Sequence, residues 1–292
     1  MEKTLSFRKL WCFSSNKLEF WHNQRPKTLI LSVLCGLLIF LLFTTALLMD
    51  DSGLSTQLTL RKLPPSLQYP FGTDWLGRDM LTRTTKGLCL SLQVGLTAAS
   101  VSAIAALILG LLSAGPSRNM DRLITGLVDV CMSMPHLVLL ILISFVMGGG
   151  TKGVIVAVAA SHWPRLTRII RAEVLQLKSA SYVRLSAKLG KSPLWIARHH
   201  MAPHMIPQFF VGTLLLFPHA ILHAAGLSFL GFGLSPHTPA IGILLSESMR
   251  HLSTGYWWLA VMPGLTLVVT VKLFDILGGG IRILLTPKSS QL

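Results

Sequence analysis

Residues 181–207 read SYVRLSAKLGKSPLWIARHHMAPHMIP, a basic stretch set between strongly hydrophobic runs. It carries Arg184, Lys188, Lys191 and Arg198 together with His199, His200 and His204. Its apolar residues Val183, Leu185, Leu189, Leu194, Trp195 and Ile196 are too few to cross a bilayer and too many for a solvated loop. Ser181 is placed to cap a helix starting at Tyr182. Gly190 supplies the left-handed residue that ends it. Ser192 then caps a second helix with Pro193 at its first position, and Pro203 and Pro207 stop that helix. The expected form is helix, glycine turn, helix, beside a membrane. Two readings share this pattern: an amphipathic element resting on anionic lipid, and a docking element entering a groove on another protein.

The surroundings are built for lipid. Of 292 residues, 51% are hydrophobic and 13% charged, about half the charged share of a soluble domain, and the mean hydropathy is +0.61. Leu29–Met49 and Leu88–Ser117 carry no charge, and no Asp, Glu, Lys or Arg falls between His199 and Ser246. Roughly 20 apolar residues suffice to span a bilayer as helix. The chain is therefore expected to be an all-α integral membrane protein with about six transmembrane helices. Its net charge of +15 fits Lys and Arg held in cytoplasmic loops, with no nucleic acid as partner.

Charge bias sets the order of segments. The arm 1–28, with Lys3, Arg8, Lys9, Lys17, Arg25 and Lys27, is expected in the cytoplasm. A first transmembrane anchor at 29–49 follows, too long for the core of a cleaved signal. Next come an external loop at 50–87, a core of five spans at 88–280, and a cytoplasmic tail at 281–292. The five spans are Leu88–Ala114, Leu123–Met147, Gly153–Trp163, Ile206–Phe229 and Tyr256–Leu277. Arg165, Arg168 and Arg171 crowd the end of Gly153–Trp163 and must snorkel to an interface. Ser235–Pro239 and Glu247–Arg250 fall in an external loop, and both termini are cytoplasmic.

Catalytic signatures are absent. GGGTKG (Gly148–Gly153) places its lysine before the last glycine and joins two spans, so it is not a phosphate loop. The chain has no HExxH and no GxSxG, and is not expected to be an enzyme. Cys12, Cys35, Cys89 and Cys131 lack metal-like spacing. Polar groups inside spans tend to face an interior path, which singles out His136, His219, His223 and Asp129. Each histidine equally reads as an interhelical hydrogen-bonding group, and Asp129 either lines the path or pairs with Arg122. Met132 and Met134 read as packing. Lys272 and Asp275 stand three apart and should form an ion pair on one helix face.

The spacing from Gly190 to Pro203 resembles the EAA loop of binding-protein-dependent ABC importer permeases, whose short coupling helices fit a cleft on the ATPase subunit. Arg184, Leu185 and Ser186 stand where that family has Glu-Ala-Ala, so a salt bridge through that carboxylate is not available here. FGTDWLGRDMLTR (Phe71–Arg83) resembles the GTDxxGRD signature of the dipeptide, oligopeptide and nickel permeases, carried by Gly72, Thr73, Asp74, Gly77, Arg78 and Asp79. DVCMSMP (Asp129–Pro135), GLSFLGFG (Gly226–Gly233) and FDILGGGIR (Phe274–Arg282) match further blocks, most like the second permease subunit.

This resemblance implies the type I ABC importer permease fold in an inner membrane. It implies a homologous permease partner, two ATP-binding subunits that hold ATP and Mg, and an extracytoplasmic solute-binding protein. It assigns ATPase coupling to Tyr182, Arg184, Leu185, Ser186, Leu189, Gly190, Ser192, Pro193 and Pro203. ILHAAGLSFLG (Ile221–Gly231) and the SHW triplet (Ser161–Trp163) resemble the nickel-type subunit, making nickel, a related metal ion or a metal chelate the expected cargo. A dipeptide or oligopeptide permease is the alternative. Competing classes are a non-ABC carrier, which should show repeated halves, and a membrane receptor or assembly factor.

Overall fold

The charge-free runs become long helices in the computed structural model, which describes residues 24–285 except 116, 236 and 237. The arm up to residue 23 and the tail from residue 286 lie outside the described residues. Ten helices are labelled here in chain order: α1 (Gln24–Leu48), α2 (Met80–Ser113), α3 (Arg118–Ser133), α4 (His136–Val146), α5 (Gly150–Ser179), α6 (Ser181–Lys188), α7 (Pro193–Ile196), α8 (Ala202–Phe229), α9 (Ile241–Leu252) and α10 (Trp258–Leu285). Helices α1, α2, α7 running on into α8, and α10 are each long and apolar enough to cross a membrane. The pair α3–α4 makes a fifth crossing if counted as one span. The expected fourth span falls within α5, whose 30 residues reach about 45 Å but which is not among the helices apolar enough to cross a membrane.

Helix α2 is the spine. Its Ala98, Ala99, Ala103 and Ala106 are fully buried, and such small residues let neighbouring backbones approach closely. A Cβ at Gly110 would stand 2.6 Å from Ile170 of α5, and Thr167 of α5 donates to the Ala106 carbonyl at 3.5 Å. Further along, Lys178 donates to the carbonyl of Ala114 at the end of α2. Rising positions on α2 thus meet rising positions on α5, so the two helices run parallel. The GLSFLGFG block closes the opposite end: Gly150 N donates to the Gly233 carbonyl at 3.0 Å, and Ser144 Oγ donates to the Phe232 carbonyl at 2.6 Å.

The GTDxxGRD segment is a folded knot at the start of α2. Asp74 is fully buried and its Oδ1 accepts from the backbone of Leu76 and Arg78 at 2.8 and 2.9 Å. Its Oδ2 accepts from Arg78 Nε and from Arg83 Nη1, each at 2.7 Å. Thr73 Oγ1 donates to the Leu60 carbonyl at 2.5 Å and accepts from Leu63 N at 2.8 Å. Gly77 must be glycine: its φ is +77°, and a Cβ there would fall 1.8 Å from the Gln57 carbonyl oxygen. Asp79 caps α2 by accepting from Thr82 N at 2.9 Å. The helix therefore begins at Met80, eight residues before the expected Leu88.

Three other expectations are corrected. The run Leu123–Met147 is not one straight span, because α3 and α4 meet at a 100° bend. Pro135 lacks an N–H and drives Met134 out of helical geometry (ψ 143°), which stops α3. Glu247–Arg250 is not a loop but part of α9, whose inner face buries Ile241, Ile243, Leu244 and Ser248. Helix α9 holds its charge inside the fold because Glu247 accepts from Arg83 at 3.0 Å. The tail expected from residue 281 begins instead as the last turn of α10.

Candidate functional site

Two features stand apart from the core, and α2 fixes their separation. The GTDxxGRD knot precedes the first residue of α2, whereas the basic segment follows α5, whose last turns pack on the end of α2. Thirty-four residues of helix put these ends about 50 Å apart. The knot and the basic segment therefore lie at opposite ends of the helical bundle.

In the basic segment, α6 ends as expected. Gly190 has φ +79°, its N–H donates to the Ala187 carbonyl, and Lys191 N donates to the Ser186 carbonyl, both at 3.1 Å. This pairing is the Schellman motif. Ser192 caps α7, its Oγ accepting from Trp195 N at 3.2 Å, with Pro193 in the first turn. Ser181 is not the cap of α6: it is already helical, and Ala180 precedes it with no side-chain bond. Nor do Pro203 and Pro207 end a helix. A π turn at Ala197–Met201 carries the chain straight from α7 into α8, and the helix continues through Pro203 and Pro207.

Leu185, Leu189 and Leu194 are 57, 71 and 80% exposed, while Tyr182 packs edge-on to His200 and Ser186 hydrogen-bonds that ring at 2.9 Å. Arg184 is exposed. Changing Ser192 to alanine is expected to lower local stability by about 1 kcal/mol. Limited proteolysis should then cut faster at residues 190–196 and unchanged elsewhere.

The second feature is a cavity of about 270 Å³ lined by Cys131, Met132, Met134, His136, Ser161, His162, Pro164, Arg165, Leu216, His219 and His223. It lies against the break between α3 and α4. His162 lies twelve residues into α5, about 18 Å from the helix start and so well inside the bundle. Non-helical backbone at such depth is tolerated where it lines a cavity or is buried in protein. Pro164 in α5 and Pro218 in α8 each remove a backbone donor one or two residues from a cavity histidine. Met132 and Met134, read from sequence as packing, are each 45% exposed and face this space.

Of the expected path residues, His136 and His223 come together and His219 joins the same wall. Asp129 does not; it pairs with Arg168 rather than Arg122, beside the bidentate pair of Asp121 and Arg171 at 2.7 Å. Lys272 and Asp275 form the expected ion pair at 3.3 Å. The residue that sequence reading left out of the site is His162, which was visible only inside the SHW triplet. Its Nδ1 lies 2.9 Å from the Val158 carbonyl and 3.0 Å from Ser161 Oγ, and the Nδ1-protonated tautomer is the one that satisfies that carbonyl.

Comparisons with known proteins agree with this architecture. The dipeptide transport system permease protein DppC of Bacillus subtilis strain 168 is 33% identical over 273 residues, 92% of this chain and 84% of that one. A putative peptide transport system permease protein of Brucella suis biovar 1 is 35% identical over 234 residues, 80% of this chain and 78% of that one. A crystal form of the inward-facing MetNI methionine ABC transporter shares the fold at a TM-score of 0.59 and 18% identity, covering 71% of this chain and 98% of that one. Residues 106–281 match the family described as binding-protein-dependent transport system inner membrane component. The chain belongs to that family and is a multi-pass membrane permease of the ABC importer type.

Proposed function

We propose that this chain forms half of a translocation path with a homologous permease, and that small peptides or peptide-like molecules are its cargo. An extracytoplasmic binding protein delivers them at the GTDxxGRD end, and two ATP-binding subunits dock at the α6–α7 end. The observation that supports the docking is that Leu185, Leu189 and Leu194 stand apolar and uncovered on a pair of short helices about 50 Å from the knot. Soluble surfaces do not hold such residues open without a partner to cover them. On this reading both termini and the basic residues 184–198 are cytoplasmic, in keeping with the positive-inside rule. The ATPase subunits carry ATP and Mg, and this chain supplies no catalytic residue.

The cargo assignment follows the relatives, which bear peptide and dipeptide names. That favours the peptide alternative over nickel, the first expectation from the ILHAAGLSFLG and SHW resemblance. A metal-containing cargo remains a second reading because His136, His162 and His223 converge in the cavity. Cells carrying the gene should take up labelled dipeptide, and a deletion should bring uptake down to background. Undiminished dipeptide uptake in the deletion strain would overturn the peptide assignment.

A further inference from the structure

The cavity contains a grouping that peptide transport does not require. His136 opens α4, His162 lies inside α5, and His223 lies in α8, so three separate helices each contribute one ring. Their centroids are 4.5, 4.9 and 5.1 Å apart, all edge to face, and one ligand nitrogen from each falls within 4.8 Å of the others.

Hydrogen bonding does not account for them. Nε2 of His136 and Nε2 of His162 are buried and have no hydrogen-bond partner, and the whole His162 residue is only 7% exposed. In His162, Nδ1 lies 2.9 Å from the Val158 carbonyl and 3.0 Å from Ser161 Oγ, and the tautomer that donates to that carbonyl leaves the buried, partnerless Nε2 with a free lone pair. A carbonyl fixing one ring nitrogen while the other is left bare is the usual support of a metal-ligating histidine. Three nitrogens around a tetrahedral ion at 2.0–2.1 Å would sit about 3.3 Å apart, so rotamer adjustments of about 1.5 Å close the site.

The remaining walls select the ligand. Cys131, Met132 and Met134 offer soft sulfur, and no carboxylate lines the space among the described residues. Magnesium and calcium need oxygen ligands and are disfavoured; nickel, copper, cobalt or zinc suit imidazole. Arg165 also lines the cavity and makes no ion pair among the described residues. Its charge would oppose a naked cation and attract a carboxylate.

We propose that His136, His162 and His223 bind a first-row divalent transition-metal ion that arrives complexed with a small carboxylate ligand, an amino acid or short peptide, whose charge Arg165 takes up. This inference rests on the permease reading and deepens it by joining a peptide-like cargo to a metal. The open coordination positions of a three-histidine site leave room for the chelating ligand, and holding the ion through neutral imidazoles keeps binding weak enough for release.

The test uses the whole transporter in detergent, with Ni2+ alone and with its equimolar glycylglycine complex as probes. Wild type should bind both, the complex more tightly, and nickel-edge X-ray absorption should show the scattering pattern of imidazole ligands. His162→Gln and His223→Asn should each weaken both probes by on the order of 100-fold. Arg165→Gln should weaken the complex and let the bare ion bind at least as tightly as in wild type. His251→Asn, which removes a ring stacked on Trp75 in the knot, should change neither. Unchanged nickel affinity in both histidine variants, or absorption spectra showing oxygen ligands alone, would overturn the metal site. A complex that binds no tighter than the bare ion would overturn the role given to Arg165. ATP-driven dipeptide uptake by the same wild-type protein reconstituted into proteoliposomes is scored separately, so failure of the permease reading registers independently of metal binding.

Discussion

Replacing Gly190 by valine is expected to uncouple uptake from ATP hydrolysis while the protein still inserts and folds. Gly190 sits at φ +79°, and a Cβ built there meets nothing within 4 Å, so the substitution is opposed by backbone conformation and not by crowding. An L-residue in the left-handed region costs about 1–2 kcal/mol, and β-branching adds to that. Relief comes by abandoning the two 3.1 Å bonds that terminate α6. The angle between α6 and α7 then changes, and Leu194 is displaced relative to Leu185 and Leu189. A penalty of that size lowers occupancy of the docking-competent hinge by a factor of about 5–30. In proteoliposomes, cargo uptake should fall by that factor at equal permease content, while the ATPase subunits continue to hydrolyse. Gly190→Asn tolerates the left-handed region and should recover most of the uptake. Normal uptake by the valine variant would remove the hinge from the coupling mechanism.

Legibility in the sequence followed the range of the interactions involved. The long helices were readable because charge-free runs of twenty residues have few alternatives to helix in lipid. The end of α6 and the start of α7 were readable because Gly190, Ser192 and Pro193 act through bonds to residues within five positions. Ser181 misled because Ala180 serves as the boundary without any side-chain bond, a choice made by how α5 ends. Pro203 and Pro207 misled because a π turn absorbs the change of phase, and no propensity announces one. Helix α9 was hidden by its own charges: Glu247 is acceptable there only because Arg83, 164 positions earlier, meets it. The histidine cluster is the extreme case. His136 and His223 were readable as polar groups within spans, but their convergence on His162 depends on three helices packing around the break at Pro135.

Changing Asp74 to alanine is expected to destabilise the protein by about 3–5 kcal/mol, the usual effect of leaving one member of a buried ion pair alone. The side chain of Asp74 is fully buried and that of Arg83 is 5% exposed. With the carboxylate gone, Arg83 keeps the Trp75 ring at 5.7 Å and a single carboxylate, Glu247, whose own side chain is 27% exposed and shares its charge with solvent. Two backbone N–H groups, of Leu76 and Arg78, lose their acceptor in the same step. The damage should spread, because the Thr73 carbonyl accepts from Trp258 Nε1 at 3.4 Å and so ties the knot to the start of α10. Thermal unfolding in detergent measures the loss. Asp74→Asn keeps an acceptor for the backbone and should cost less than alanine. The decisive comparison adds Arg83→Met to Asp74→Ala: if the penalty comes from an uncompensated buried guanidinium, the double variant must be less destabilised than the sum of the two single changes. Simple additivity would mean that the knot holds through its turns and glycines, with the ion pair a bystander.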